Sequence, residues 1–318
     1  MDFDGIILIT TCTHRKRRPV PTTLQAHSLQ EGSQDRVLNE WCDQLRTNPT
    51  VGSASSIYCG RGFREALEAR FVTGGDLWII SAGLGLVAQN SAIPSYSITI
   101  NPSGPDSILK KIKGERFSPT RWWTGITGFN SFSDPIHRLV MDNPTKLFVI
   151  ALSQAYARMV QQDISSLNED VLKRLRLVGL ALGPVLDSRL QSIILPYDER
   201  LDGPGSSAPG TRSDFAQRAM KHFVTECLHL SDLNDLRSHA DTVEQVLSGY
   251  GHRQIPKRKR LSDQEIIDVM LRQWHTPTIN SSKMLRILRD NEQIACEQSR
   301  FKELYRLAKQ IKEKEGES

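Results

Sequence analysis

The stretch SIILPYDERLDGPGSSAPGTRSDFAQRAMKHF places Asp198, Arg200, Asp202, Arg212, Asp214, Arg218 and His222 around a Gly/Ser/Pro-rich loop. Carboxylates beside such a loop suit orienting a water or offsetting a cationic transition state, and the helix start that follows suits an anion. A second group stands in GIILITTCTHRKRRPVP, where an apolar run ends in Thr11, Cys12, Thr13, His14, Arg15, Lys16, Arg17 and Arg18. Hydroxyls, a thiol, an imidazole and a basic cluster at a strand mouth fit small polar contacts and phosphate. Ser81, Gly83 and Gly85 in WIISAGLGLV, Tyr96 in IPSY, and Ser153 and Tyr156 in LSQAYARM complete the set. Bare backbone at the glycines permits close approach, and the tyrosines offer stacking faces. Each residue singly also has a structural reading: Asp214 as a helix start, Asp198 as a turn cap, Arg17 and Arg18 as a solvated loop.

These residues need a frame. Continuous apolar runs at 5–10, 77–81, 146–152, 175–182 and 192–195 alternate with helical patterns at 34–46, 62–71, 154–164 and 214–228. Strands that are apolar throughout, spaced by helices, predict an α/β fold with a central, mostly parallel sheet covered on both faces. Ligands of such sheets bind beyond the carboxyl ends of the strands, where the polar sequences above fall. No glycine-rich phosphate cradle is present, so neither a P-loop nor a dinucleotide fingerprint is read. Residues 101–145 are rich in Gly, Pro, Ser and aromatics and read as a lid or insertion. In it Trp122 and Trp123 adjoin several cations, an arrangement able to stack on or wedge into nucleic acid; core anchoring is the competing account for either one.

Among 318 residues, 38% are hydrophobic and 24% charged, and mean hydropathy is −0.38. No apolar run reaches the ~20 residues of a membrane helix. Five scattered cysteines without a CxxC pair argue for neither a disulfide framework nor a zinc site, and a cytoplasmic location is expected. Residues 252–318 hold 15 Lys and Arg against 10 Asp and Glu, which is the whole formal excess of +5. Positive charge so localised suits a polyanion, although a solvated helical tail would also carry it. Ser262 with Glu265 forms a capping box, Ser281 or Ser282 caps a second helix over 283–290, and a third runs over 296–311. Two domains and a linker are expected: an α/β body at 1–248, a basic linker at 249–260 and a small all-α, helix-turn-helix-like unit at 261–318.

The order LITTCTHRKRRP, IYCGRGF, WIISAGLGLV, IPSY resembles a bacterial domain family related to the glycosylase-like part of archaeosine-synthesis enzymes. That domain is similar in fold to the uracil-DNA-glycosylase superfamily, and the group includes DNA glycosylases of bacterial phage defence. On this resemblance Cys12 and Lys16 match the first motif, Tyr58, Gly60 and Phe63 the second, Ser81, Gly85 and Leu86 the third, and Pro94 and Tyr96 the fourth. The Gly-Gln-Asp-Pro-Tyr-His and His-Pro-Ser-Pro motifs of uracil glycosylases are absent, so no acid or base carries over.

The resemblance implies a DNA glycosylase that hydrolyses the N-glycosidic bond of a flipped, modified base. Catalytic candidates are Asp198, Asp202, Asp214 and His14; base contacts are Cys12, Tyr58, Ser81, Gly83, Gly85, Tyr96, Ser153 and Tyr156. DNA contacts are Arg15, Lys16, Trp122, Trp123, Arg200 and Arg212 in the body, and Lys257, Arg258, Lys259, Arg260, Lys283, Arg286 and Arg300 in the tail. The partner is DNA, double-stranded or locally opened; neither metal nor organic cofactor is needed for this cleavage. Alternatives are a DNA-binding regulator with a nucleotide-sensing body and an enzyme acting on free nucleosides.

Overall fold

A computed structural model describes residues 4–129, 133–231, 235–252, 258–274 and 279–316. The chain divides into two compact units, residues 1–253 and 254–318.

In the first unit, strands β1 (Ile6–Thr11), β2 (Gly52–Ser53), β3 (Asp76–Ser81), β4 (Gly85–Ala88), β5 (Ala92–Ile93), β6 (Leu147–Ala151) and β7 (Leu175–Val178) alternate with helices. The helices are α1 (Gln34–Thr47), α2 (Ala54–Ile57), α3 (Arg61–Thr73), α4 (Pro119–Phe129), α5 (Ile136–Asp142), α6 (Gln154–Ser165), α7 (Glu169–Leu172), α8 (Phe215–His222) and α9 (Leu236–Ser248). Five strands form one sheet in the order β4-β3-β1-β6-β7, parallel except for β4; β2 and β5 form a separate antiparallel ribbon. The molecule is therefore α/β with a central, mostly parallel sheet. Every residue of β6 and β7 is buried, which is why their sequences do not alternate. Helices α3 and α8 pack on each other and on β1 and β6, whereas α4 packs on α6 and α1.

Two elements differ from expectation. Residues 192–195 do not form a strand: Asp187 caps a 3-10 turn through Ser188–Ile193, and only an isolated bridge joins Ile194 to Leu177. The fifth strand is instead β4, folded back on β3 through the tight turn in SAGLG. Gly85 holds φ +77° there, and a side chain at that position would collide with Ser133.

The proposed lid at 101–145 instead contributes α4 and α5 to the core. Trp122 and Trp123 are 0% and 1% exposed, so neither faces a ligand. Their ring N–H groups donate to the Ala82 carbonyl (2.8 Å) and Asp163 Oδ2 (2.7 Å). An indole buries a large apolar area and needs one partner, and both requirements are met inside.

The second unit has its own apolar core, including Ile266, Met270, Met284, Leu288, Phe301 and Leu304, contributed by α10 (Asp263–Gln273), α11 (Ser281–Arg286) and α12 (Gln298–Gly316). The Ser262–Glu265 capping box is present. The cap of α11 is Asn280, whose side chain accepts from Lys283 N at 2.9 Å, rather than Ser281 or Ser282. Among the described residues no helix is long and apolar enough to cross a membrane.

Candidate functional site

From β1 the chain steps to β3 on one side, then crosses to β6 on the other. Connections that leave β1 and β6 in opposite directions open a crevice at their carboxyl ends. An open cavity of about 480 Å³ lies there. It is lined by residues 11–14 after β1, 98–102, 152–156 with Arg158 at the start of α6, Leu180 after β7, and Arg212, Ser213 and Phe215–Gln217 at the start of α8. Segments far apart in the chain thus meet in one hollow of ligand size.

Of the expected site residues, Cys12, His14, Ser153, Tyr156 and Arg212 line this cavity. Cys12 Sγ and Tyr156 Oη lie 3.1 Å apart. Burial first, then the adjacent Cys12, holds the Tyr156 phenol well above its ordinary pKa, so it stands as a neutral donor. Gln217 reaches across from α8 and donates to Thr11 Oγ1 (3.0 Å) and Thr10 Oγ1 (3.3 Å), tying the helix start to the end of β1. Arg158 and Arg212 are exposed at the rim, and neither side chain has a hydrogen-bond or ion-pair partner among the described residues. Among the described residues no carboxylate lines the cavity. By composition the hollow suits an anion: two guanidiniums without a partner among the described residues, one imidazole and hydroxyl groups.

The other expected base contacts lie behind this wall. Tyr58, Ser81 and Tyr96 are fully buried. Tyr58 Oη and Tyr96 Oη are 2.7 Å apart, and Ser81 Oγ meets Tyr96 Oη at 2.5 Å while accepting from Gly83 N and Leu84 N. A side chain at Gly83 would run into the Tyr96 ring and Ile98, so this glycine serves packing. These residues, with Gly85 in its turn, support the crevice floor and do not reach its space. Lys16 is likewise turned inward: Nζ stands 4.4 Å from the Tyr96 ring centroid and donates to the Thr13 carbonyl at 2.8 Å. Burial pulls its ammonium below the usual lysine range. Arg15 is exposed but outside the cavity lining.

The three aspartates are corrected most sharply. Arg218, 1% exposed, pairs with Asp214 Oδ1 (2.7 Å) and Asp202 Oδ1 (2.8 Å) and donates to the Thr211 and Ala208 carbonyls. Asp202 also accepts from Gly210 N, and Asp214 from Thr211 N. The Gly/Ser/Pro loop is thus strapped down by a buried ion triad that presents Arg212 and Ser213 to the cavity. Burial alone would raise the Asp214 pKa, but bonds from Arg218 and Thr211 outweigh it and leave the carboxyl below its ordinary value. Asp198 and Glu244 hold the Arg200 fork, so Arg200 braces α9 and does not reach toward a ligand.

His222 closes the polar stretch as a core residue. Nδ1 and Nε2 lie 2.9 Å from Tyr197 Oη and 3.0 Å from Tyr250 Oη. Burial pulls its pKa down to about 4. A folded-state value below the unfolded 6.5 means that stability is full above pH 6.5 and is lost as pH falls toward 4. The expected loss is about 1.4 kcal/mol per pH unit, near 3 kcal/mol in all. Thermal melts of wild type and His222→Gln between pH 7.5 and 4.5 check this: the variant should melt with a shallower acid slope, and equal slopes refute it.

In the second unit Arg258, Arg260 and Arg300 line one concavity and Arg286 a neighbouring one; Lys259 and Lys283 are exposed. Lys257 lies outside the described residues. Sequence reading missed Arg158, Asn101 and Gln217 in the first unit and Arg289 in the second. Signals were there: Gln154 and Arg158 share a helix face one turn apart just after Ser153, and Gln217 interrupts an apolar face beside Phe215. Comparison of the chain with protein-family models, with curated proteins and with solved structures finds no match.

Proposed function

We propose that this chain is a DNA glycosylase of uracil-DNA-glycosylase-like fold, acting in the cytoplasm on modified phage DNA, with a helix-turn-helix-like C-terminal unit that binds the duplex. The observation that carries the reading is the crevice at the strand ends, nucleotide-sized and rimmed by Arg158 and Arg212, with neither a partner for these two nor a lining carboxylate among the described residues. A nucleotide extruded from the stack costs a few kcal/mol, and two guanidiniums gripping its flanking phosphates offset that. The sugar cation formed as the base departs is countered by those phosphates, held close by the arginines, in place of an enzyme carboxylate. His14 and the neutral Tyr156 phenol donate to the departing base, and water adds to the anomeric carbon, its released proton restoring the donor, which leaves the free base and an abasic site.

The test is incubation of the purified protein with DNA from phages carrying diverse modified bases. Abasic sites, read by cleavage with alkali, are expected for at least one; intact DNA across the panel defeats the enzymatic reading. One observation favours a second reading, a regulator whose body senses a nucleotide: the carboxylate-free crevice asks only for an anion. Under that reading the same panel stays intact while nucleotides bind.

A further inference from the structure

We propose that the C-terminal unit carries an arginine-walled channel that tracks the sugar-phosphate backbone of nucleic acid. The proposal rests on the DNA half of the function above and not on its glycosylase half. Two open concavities adjoin one another on this unit. Arg258 and Arg289 belong to both, Arg260 and Arg300 to the first and Arg286 to the second.

Local structure explains why these side chains converge. Lys259 pairs with Ile294 as a parallel bridge, its N–H donating to Gln293 O and its carbonyl accepting from Ala295 N, both at 2.7 Å. In an extended segment residues two apart share a face, so pinning Lys259 sets Arg258 and Arg260 together on the opposite side. Arg258 Nε donates to the Arg289 carbonyl (3.0 Å), and Arg289 Nη2 to the Cys296 carbonyl (2.8 Å). Arg300 is held by Asp263 and the Leu261 carbonyl. Three guanidiniums are thus aimed in advance and lose little freedom when they bind. Arg260 and Arg286 are exposed and have no hydrogen-bond or ion-pair partner among the described residues.

Among the described lining residues only Asp290 and Glu297 are acidic; Arg258 is paired with Asp290 and Arg300 with Asp263. Arg260, Arg286 and Arg289 have no carboxylate partner among the described residues, so their mutual repulsion around the joined hollows is relieved by a polyanion. A planar guanidinium matches a phosphodiester bidentately, which a lysine-rich solvated face does not. A row of phosphates, supplied at regular spacing, meets all five; a single small anion meets one or two.

The test compares full-length wild type with Arg260→Gln/Arg286→Gln, two side chains with no structural bonds to lose. The control, Lys302→Gln/Arg306→Gln, removes equal charge from exposed positions of α12 outside both concavities. Fluorescence anisotropy with a 30-bp duplex over a salt series is the readout. The channel double variant should bind about 10–100-fold more weakly, with the salt slope reduced by about 1.8, and the control by less than about threefold. Equal losses in both variants overturn the proposal, since net charge alone would then suffice. Wild-type affinity in the channel variant overturns it too, as does wild-type protein that binds phosphatidylserine vesicles but no DNA. Absence of abasic sites in the glycosylase assay, with the anisotropy pattern intact, sinks only the enzymatic reading.

Discussion

Replacing Arg218 by alanine is expected to lower the melting temperature of the protein by about 6–20 °C. The reasoning runs from burial to charge. Arg218 lies between Asp202 and Asp214, side chains 6% and 5% exposed, so the two carboxylates have little access to solvent. Breaking a buried pair by removing one partner costs about 3–5 kcal/mol, because the remaining charge stays desolvated. A unit of this size loses roughly 2–4 °C per kcal/mol. Two further readouts separate this brace from a catalytic aspartate. In wild type the Asp214 pKa is depressed, so its contribution is present above the unfolded value near 3.8 and is lost as pH falls below it. In the variant both carboxylates lose Arg218, and Asp214 keeps only the half-exposed Arg61 at 3.5 Å as a cation partner among the described residues, so moderate acidification should narrow its deficit. Limited proteolysis should also cut the variant faster within residues 203–213. By the same logic Asp214→Asn destabilises; an Asp214→Asn protein that melts like wild type yet has no turnover would restore the aspartate as a catalytic group and refute the brace.

Arg158→Gln combined with Arg212→Gln should leave the melting temperature within about 2 °C of wild type while, under the glycosylase proposal, lowering kcat/KM on cleavable DNA by about 10²–10⁴. Neither side chain holds anything in the fold, which is why stability should not move. A hydrogen bond to a charged group contributes about 1.5–3 kcal/mol, or roughly 10–150-fold each. The two lie on different elements, Arg158 in α6 and Arg212 in the turn before α8, so a joint effect requires that both reach one ligand. Single-turnover rates with the two single variants decide it. Unchanged rates in the double variant would remove the anion receptor from the mechanism, whatever the substrate.

The parts of this molecule legible in its sequence are those governed by local periodicity. Continuous apolar runs marked β1, β3, β6 and β7 because a strand buried on both faces has no polar positions to alternate with. The capping box at Ser262 and the polar strand ends at Thr11–His14 and Ser153–Tyr156 were readable for the same reason: the signal spans a few residues. Candidate chemistry was harder. Asp202 and Asp214 read equally as catalytic carboxylates or as members of a buried triad with Arg218 when only the spacing is known, because the outcome depends on which side of α8 faces the core. Trp122 and Trp123 stand in a loop-like composition, yet the hydrophobic effect draws two large rings inward once Ala82 and Asp163 supply partners for their N–H groups.

By itself, then, the sequence determined an α/β sheet with polar strand ends and a basic C-terminal segment, since those follow from residue order and side-chain type. Only the tertiary structure decided which charges are free to meet a ligand. Lys16, Asp202, Asp214 and Arg200 are spent on internal partners, whereas Arg158, Arg212, Arg260 and Arg286 are left at open hollows. Whether a charge is neutralised within the protein or kept for another molecule depends on neighbours distant in the chain, and no local pattern encodes them.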